Sequence, residues 1–238
     1  MFRSVNVYLC IILYVFLNSC SGKIIPAITE PNTAKVFSSE IDLFDKQNAS
    51  IKYDPNAILF TGSSTIRLWL SIEEDMAPYK VIQRGFGGAR IEDLAWYFKR
   101  IVYPHQFSAI AIFAGTNNIT GNPNDTPVDT ILHYTKIINR MIRQRYHSVP
   151  IFWIAITPVN SRIKVMNKVH EMNEAWKKEF SKEKNIWFID TENDFLRDGK
   201  PMGELFNSDQ LHLNREGYRY WSKIVKAEIE KHLNPVKP

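Results

Sequence analysis

Two adjacent serines in "FTGSSTIRLW" and an aspartate three residues ahead of a histidine in "SDQLHLN" are the parts from which a nucleophilic hydroxyl can be built. A hydroxyl attacks only when a neighbouring base takes its proton and a third group orients that base. The spacing of three brings Asp209 and His212 to one face of a turn, where the carboxylate can hold Nδ1–H and leave Nε2 for a serine. An oxygen that gains negative charge needs donors of its own. Gly87 and Gly88 in "RGFGGAR" can bring backbone N–H groups close, and Asn117 in "GTNN" can offer an amide. Each piece also has a bland reading. A serine after a strand is usually a helix cap, Asp-x-x-His a surface turn, and "GFGG" a tight turn without the phosphate-binding G-x-G-x-x-G spacing. Local pattern does not distinguish Ser63 from Ser64.

The elements that must position these residues are legible as alternating patterns. Apolar runs of strand length lie at 57–60, 81–82, 109–114, 151–156 and 186–189. Helical periods lie between and after them, at 91–100, 164–184, 215–232 and, most clearly, in "TPVDTILHYTKIINRMIRQRY", where Thr126 is expected to cap and Pro127 to open the helix. Ser39 is expected to cap a shorter helix that buries Ile41, Leu43 and Phe44. Strands apolar on both faces and alternating with helices imply a parallel sheet covered on its two sides. Ligands of such sheets gather beyond the carboxyl ends of the strands, where "GSST", "RGFGGAR", "GTNN" and "SDQLHLN" all fall.

Composition bounds the remaining possibilities. The 238 residues, 45% hydrophobic and 23% charged, suffice for one α/β domain, and no internal repeat or second domain is visible. The net charge of +5 is scattered along the chain, which argues for a solvated surface and against a nucleic-acid partner. The amino terminus, "MFRSVNVYLCIILYVFLNSC", has the basic start, apolar stretch and small-residue junction of a secretory signal. Its "LNSC" resembles a bacterial lipobox, which implies lipidation of Cys20, an anchor in the cell envelope and, with Ser21 following, the outer membrane facing the periplasm. Release into the periplasm or the medium is the alternative. Cys10 and Cys20 are the only cysteines, so neither a disulfide nor a thiol nucleophile is expected in the folded domain. Residues 1–20 are thus expected to be signal, 21–38 a tether, and 39–238 the domain.

With these blocks in order, the chain resembles the SGNH hydrolases of the GDSL esterase and lipase superfamily, in the G-S-S-x-I-R branch that is similar to the catalytic subunits of platelet-activating factor acetylhydrolase. The resemblance runs from about Ile41 to the carboxyl terminus. It implies a flavodoxin-like three-layer α/β/α sandwich on a five-stranded parallel sheet. It also implies Ser64 as nucleophile, Asp209 and His212 as the rest of a catalytic triad, and an oxyanion hole made by the backbone N–H groups of Ser64 and Gly88 with the amide of Asn117. Ser63 then takes the usual aspartate position and is expected to support the loop by hydrogen bonding, and Asn118 replaces the aspartate of G-x-N-D. Arg67 is expected to pair with a carboxylate and Trp69 to close the core. No metal or other cofactor is implied, and the six histidines have no metal-ligand spacing.

The activity so implied is that of a serine carboxylic-ester hydrolase acting on small acyl esters of carbohydrate or lipid through an acyl-enzyme, with "TGNPNDTP" (120–127) as the expected specificity loop. The alternatives are a catalytically idle envelope lipoprotein that binds a ligand, a lysophospholipase or thioesterase, and a flavodoxin-like nucleotide binder. The last leaves Asp209 and His212 unexplained. Oligomeric state is not legible.

Overall fold

Strands whose side chains are apolar on both faces cannot leave either face in water, and the computed structural model, which describes residues 25–233, buries both. β1 (Ile58–Gly62), β2 (Val81–Gly85), β3 (Ala109–Phe113), β4 (Ile151–Ile154) and β5 (Ile186–Ile189) form one parallel sheet in the order 2-1-3-4-5. Alternate residues of each strand feed two cores. Leu59, Ile110, Ile112 and Trp153 pack under α1 (Ser38–Ser50), α4 (Ile91–Val102), α5 (Val128–Arg145) and α6 (Met166–Phe180). Ile58, Phe60, Ala111 and Phe152 pack under α2 (Ser64–Arg67), α3 (Ile72–Asp75) and α7 (Arg215–Glu230). The result is the three-layer α/β/α sandwich that the alternation implies. β1 pairs with β2 on one side and β3 on the other, so the chain reverses its winding direction there and opens a crevice at the carboxyl ends of β1 and β3.

Several boundaries differ from expectation. Pro127, not Thr126, occupies the cap of α5; the Thr126 hydroxyl instead accepts from the Asn118 amide at 2.8 Å and from Arg90 at 3.0 Å. The helix expected over 164–184 is shorter, running as α6 over Met166–Phe180; a 3-10 turn over Asn160–Val165 precedes it, and Arg162 inside that turn leaves helical geometry at φ −126°, ψ 27°. α1 begins at Ser38, with Ser39 inside it; Ile41 is buried while Leu43 is 53% exposed, because this helix touches the domain along a narrow stripe.

The tether expected over 21–38 is corrected in its later part. The chain docks on the domain: a 3-10 turn over Ala34–Phe37 buries Ala34 and Phe37, the Tyr97 hydroxyl donates to the Ala34 carbonyl at 2.9 Å, and the Thr33 hydroxyl donates to Asp93. Ile25 and Ile28 pack against the same core, so this stretch has more apolar surface to bury than its prolines imply. The expected signal segment and Cys20 lie outside the described residues. Among the described residues, no helix is long and apolar enough to cross a membrane, and no group of three potential metal ligands occurs.

Candidate active site

The turn after β1 is shaped by one residue without a side chain. Gly62 has φ +137°, and a Cβ there would lie 1.9 Å from the Phe113 carbonyl oxygen of β3. That same oxygen accepts the Ser63 N–H at 3.0 Å, which turns the chain out of the sheet and makes Ser64 the first residue of α2. A helix of four residues cannot hold itself together, and its neighbours hold this one. The Tyr218 hydroxyl donates to the Thr65 carbonyl at 2.9 Å, and the Gln83 amide donates to the carbonyls of Ile66 and Trp69. Trp69 is fully buried and donates to Asp75 at 2.7 Å, and Asp75 in turn pairs with Arg215 at the start of α7.

The loop before α7 carries the candidate base. Phe206 and Leu213 form an antiparallel bridge, the Asn207 N–H donates to the His212 carbonyl at 2.8 Å, and Gln210 takes φ +52° at the bend. Asp209 Oδ1 accepts the N–H groups of both Leu211 and His212 at 3.0 Å, which leaves Oδ2 facing the ring, 2.6 Å from His212 Nδ1. Burial raises the Asp209 carboxyl, but the bonds from the His212 backbone, the His212 ring and the Leu211 backbone outweigh it and hold the group below the ordinary carboxylate range. An ionised carboxylate can only accept, so Nδ1 carries a proton, and in the neutral imidazole Nε2 is then the accepting nitrogen. Nε2 lies 2.9 Å from Ser64 Oγ. The structure thus joins Ser64, His212 and Asp209 in one hydrogen-bonded chain.

The candidate oxyanion donors differ in how their N–H groups are engaged. Gly88, at φ +73°, and Ser64 both have backbone N–H groups with no partner among the described residues. The Gly87 N–H is already committed to the Glu40 carboxylate at 3.2 Å, which Arg67 also approaches at 3.8 Å. Asn117 donates one amide hydrogen to the Ala89 carbonyl at 3.1 Å, next to Gly88, and has a second to give. Asn117 and His212 line, with Ser64, a cavity of about 10 Å³, the space of a single water molecule, walled by Phe113, Val159, Phe206 and Leu213.

The model of the GDSL-like lipase/acylhydrolase family matches residues 63–220, about two thirds of the chain. The chain belongs to this family. As an acylhydrolase it has its five candidate site residues inside the matched span. No curated protein matches its sequence. Among solved structures, one named for platelet activating factor from Streptococcus pneumonia is similar at a TM-score of 0.74 and 22% identity, over 83% of this chain and 95% of that one. A GDSL-like lipase from Bacteroides thetaiotaomicron VPI-5482 superposes at 0.68 with 18% identity, over 82% and 99%. An acetyl xylan esterase superposes at 0.60 with 18% identity, over 73% and 99%. At these identities the likeness is one of fold.

Two expectations about this acylhydrolase's loops need correction. Ser63 caps α2 by position only: its hydroxyl is buried and has no partner among the described residues, so it supports nothing by hydrogen bonding. The 120–127 loop does not line the Ser64 cavity; Asp125 ties it back on itself through Thr120 and Gly121, and Thr157, Val159, Phe206 and Leu211 stand at the cavity instead. Asn118 is buried structure, accepting from Ile91 N–H and donating to Glu92 and Thr126. The residue that sequence reasoning missed is Arg162, which donates to the Thr116 carbonyl and, at 3.2 Å, to Asn117 Oδ1. The carboxyl-end rule, applied to the loop after β4 as well, points to it.

Proposed function

We propose that this acylhydrolase is a serine carboxylic-ester hydrolase that cleaves small acyl esters, with O-acetyl groups of carbohydrate or lipid as its substrate class. The observation that carries the reading is the continuous chain from Ser64 Oγ to His212 Nε2, 2.9 Å, and from Nδ1 to Asp209, 2.6 Å. In this mechanism Ser64 attacks the ester carbonyl as His212 takes its proton. The carbonyl oxygen gains negative charge and is met by the N–H groups of Ser64 and Gly88 and by the Asn117 amide. His212 then gives the proton to the departing alcohol, which leaves an acyl group on Ser64. A water molecule, deprotonated by the same imidazole, attacks that acyl group and frees the serine.

The tight, aromatic-walled space at Ser64 favours a short acyl chain, and an acetyl xylan esterase shares the fold. The test is hydrolysis of p-nitrophenyl esters from acetyl to palmitoyl. kcat/KM is expected to fall at least about fivefold between acetyl and octanoyl, because forcing extra methylenes into a packed site costs about 1–3 kcal/mol. A preference for palmitoyl overturns the small-acyl reading.

We further propose that the protein works from an envelope anchor, by lipidation at Cys20, facing the periplasm from the outer membrane; the lipobox-like "LNSC" supports this. Radiolabelled palmitate is expected to mark the wild-type chain and not Cys20→Ser. Equal labelling of both rules the anchor out.

A further inference from the structure

Arg162 lies between the two halves of the site. Its own segment is tied to the loop that carries Asp209 and His212: the Ser161 N–H donates to the Gln210 carbonyl at 3.2 Å, and the Asn160 amide to Gln210 Oε1 at 2.7 Å. Its guanidinium reaches the other way, to the Thr116 carbonyl through Nη1 and to Asn117 Oδ1 through Nη2. An asparagine amide has one accepting end and one donating end. At Asn117 the accepting end faces the guanidinium and the donating end faces the Ala89 carbonyl. A flipped amide would set donor against donor and acceptor against acceptor, so one Asn117 N–H stays unspent on a group that cannot turn.

The charge of Arg162 has no direct counterpart. Both of its hydrogen-bond acceptors are neutral oxygens, and it forms no ion pair among the described residues. Asp125 is the acidic group that influences it, but that carboxylate is spent on the Thr120 and Gly121 N–H groups and the Thr120 hydroxyl. A guanidinium does not lose its proton in a protein, so a fixed positive charge stands behind the amide. Hydrogen bonds in series polarise one another, and an amide whose oxygen is held by a cation donates more strongly through its nitrogen.

We propose that Arg162 is a positioning residue of the oxyanion site, which fixes and polarises the Asn117 amide so that its free N–H meets the substrate oxygen as negative charge forms there. This rests on the reading of Ser64 as nucleophile and Asn117 as an oxyanion donor. If Arg162 only fastened the Asn160–Val165 turn to the Thr116 loop, its removal would lower stability without regard to Asn117.

The experiment is a double-mutant cycle on the full chain, with kcat and KM for p-nitrophenyl acetate and thermal melts for wild type, Arg162→Met, Asn117→Ala and the double variant. Arg162→Met is expected to lower kcat about ten- to a hundredfold with KM within about twofold, somewhat less than the loss of an oxyanion donor itself. In the Asn117→Ala background the same change is expected to cost less than about threefold, because the group it acts through is gone. Arg162→Lys keeps the charge without the two-pronged fork and is expected to recover part of the loss; should Arg162→Met fail to fold, the lysine variant is compared in the same two backgrounds. A loss equally large with and without the Asn117 amide, or one confined to KM, overturns the proposal. Hydrolysis that survives Ser64→Ala overturns the functional reading instead, so the two failures are told apart.

Discussion

Ser64→Ala is expected to lower kcat/KM for p-nitrophenyl acetate by about 10⁴-fold or more, to the background left by binding and oxyanion donors, while Ser63→Ala stays within about threefold of wild type. The asymmetry follows from partners. Ser64 Oγ shares a hydrogen bond with His212 Nε2 at 2.9 Å, and without it the imidazole has no nucleophile to deprotonate. The Ser63 hydroxyl is buried with no partner among the described residues, so alanine there removes a polar group that nothing satisfies. Such a deletion is nearly neutral or stabilising. Melting curves and titration with a serine-directed phosphonate check both variants. A Ser64→Ala protein that keeps a tenth of the activity, or a Ser63→Ala protein that loses as much as its neighbour, assigns the chemistry elsewhere.

Gly62→Ala is expected to be the most damaging glycine-to-alanine change among the described residues. The added Cβ would lie 1.9 Å from the Phe113 carbonyl oxygen, and φ +137° is a conformation that side-chain-bearing residues rarely adopt. Relief requires β1 and β3 to part at the point where Phe113 accepts the Ser63 N–H, so the clash and the lost bond fall on the turn that presents Ser64. A cost of about 4 kcal/mol or more corresponds to a Tm lower by about 10 °C, with activity lost in whatever remains folded. Gly199→Ala is the control. Gly199 also has positive φ, +73°, but nothing lies within 4 Å of the added methyl, so only backbone strain of about 1 kcal/mol applies. Comparable melting of the two variants shows that steric closure of the strand pair is not what holds the turn.

The strands and the Asp209–His212 pair were readable because both are written in short-range pattern, whereas Ser64 is told from Ser63 only by the resemblance to the family. Five apolar runs of strand length separated by helical periods define the sheet, and Asp209 and His212 are three residues apart. What escaped reading depends on partners distant in sequence. Nothing near Glu40 indicates that its carboxylate takes the Gly87 N–H, 47 positions away, and nothing near Arg162 indicates that it reaches Asn117, 45 positions back. The Ser63 hydroxyl misled for the opposite reason: serine at a strand end is usually bonded locally, and here the Phe113 carbonyl takes the Ser63 backbone while the side chain is closed in. Amphipathic period located the helices but not their ends, since the Thr126 hydroxyl accepts from Asn118 and Arg90 instead of capping α5.

The docking of the chain before α1 has a consequence for where such an enzyme can work. Ile25 and Ile28 already lie against the core, and Phe37 packs edge-on against Phe86 beside the Gly87–Gly88 turn. On the proposed anchor, five residue steps separate Cys20 from Ile25, a span that cannot exceed about 17 Å. A catalytic domain held that close to the bilayer samples a shell no thicker than itself. On that proposal, the esters within its reach are those of molecules rooted in the same leaflet or pressed against it.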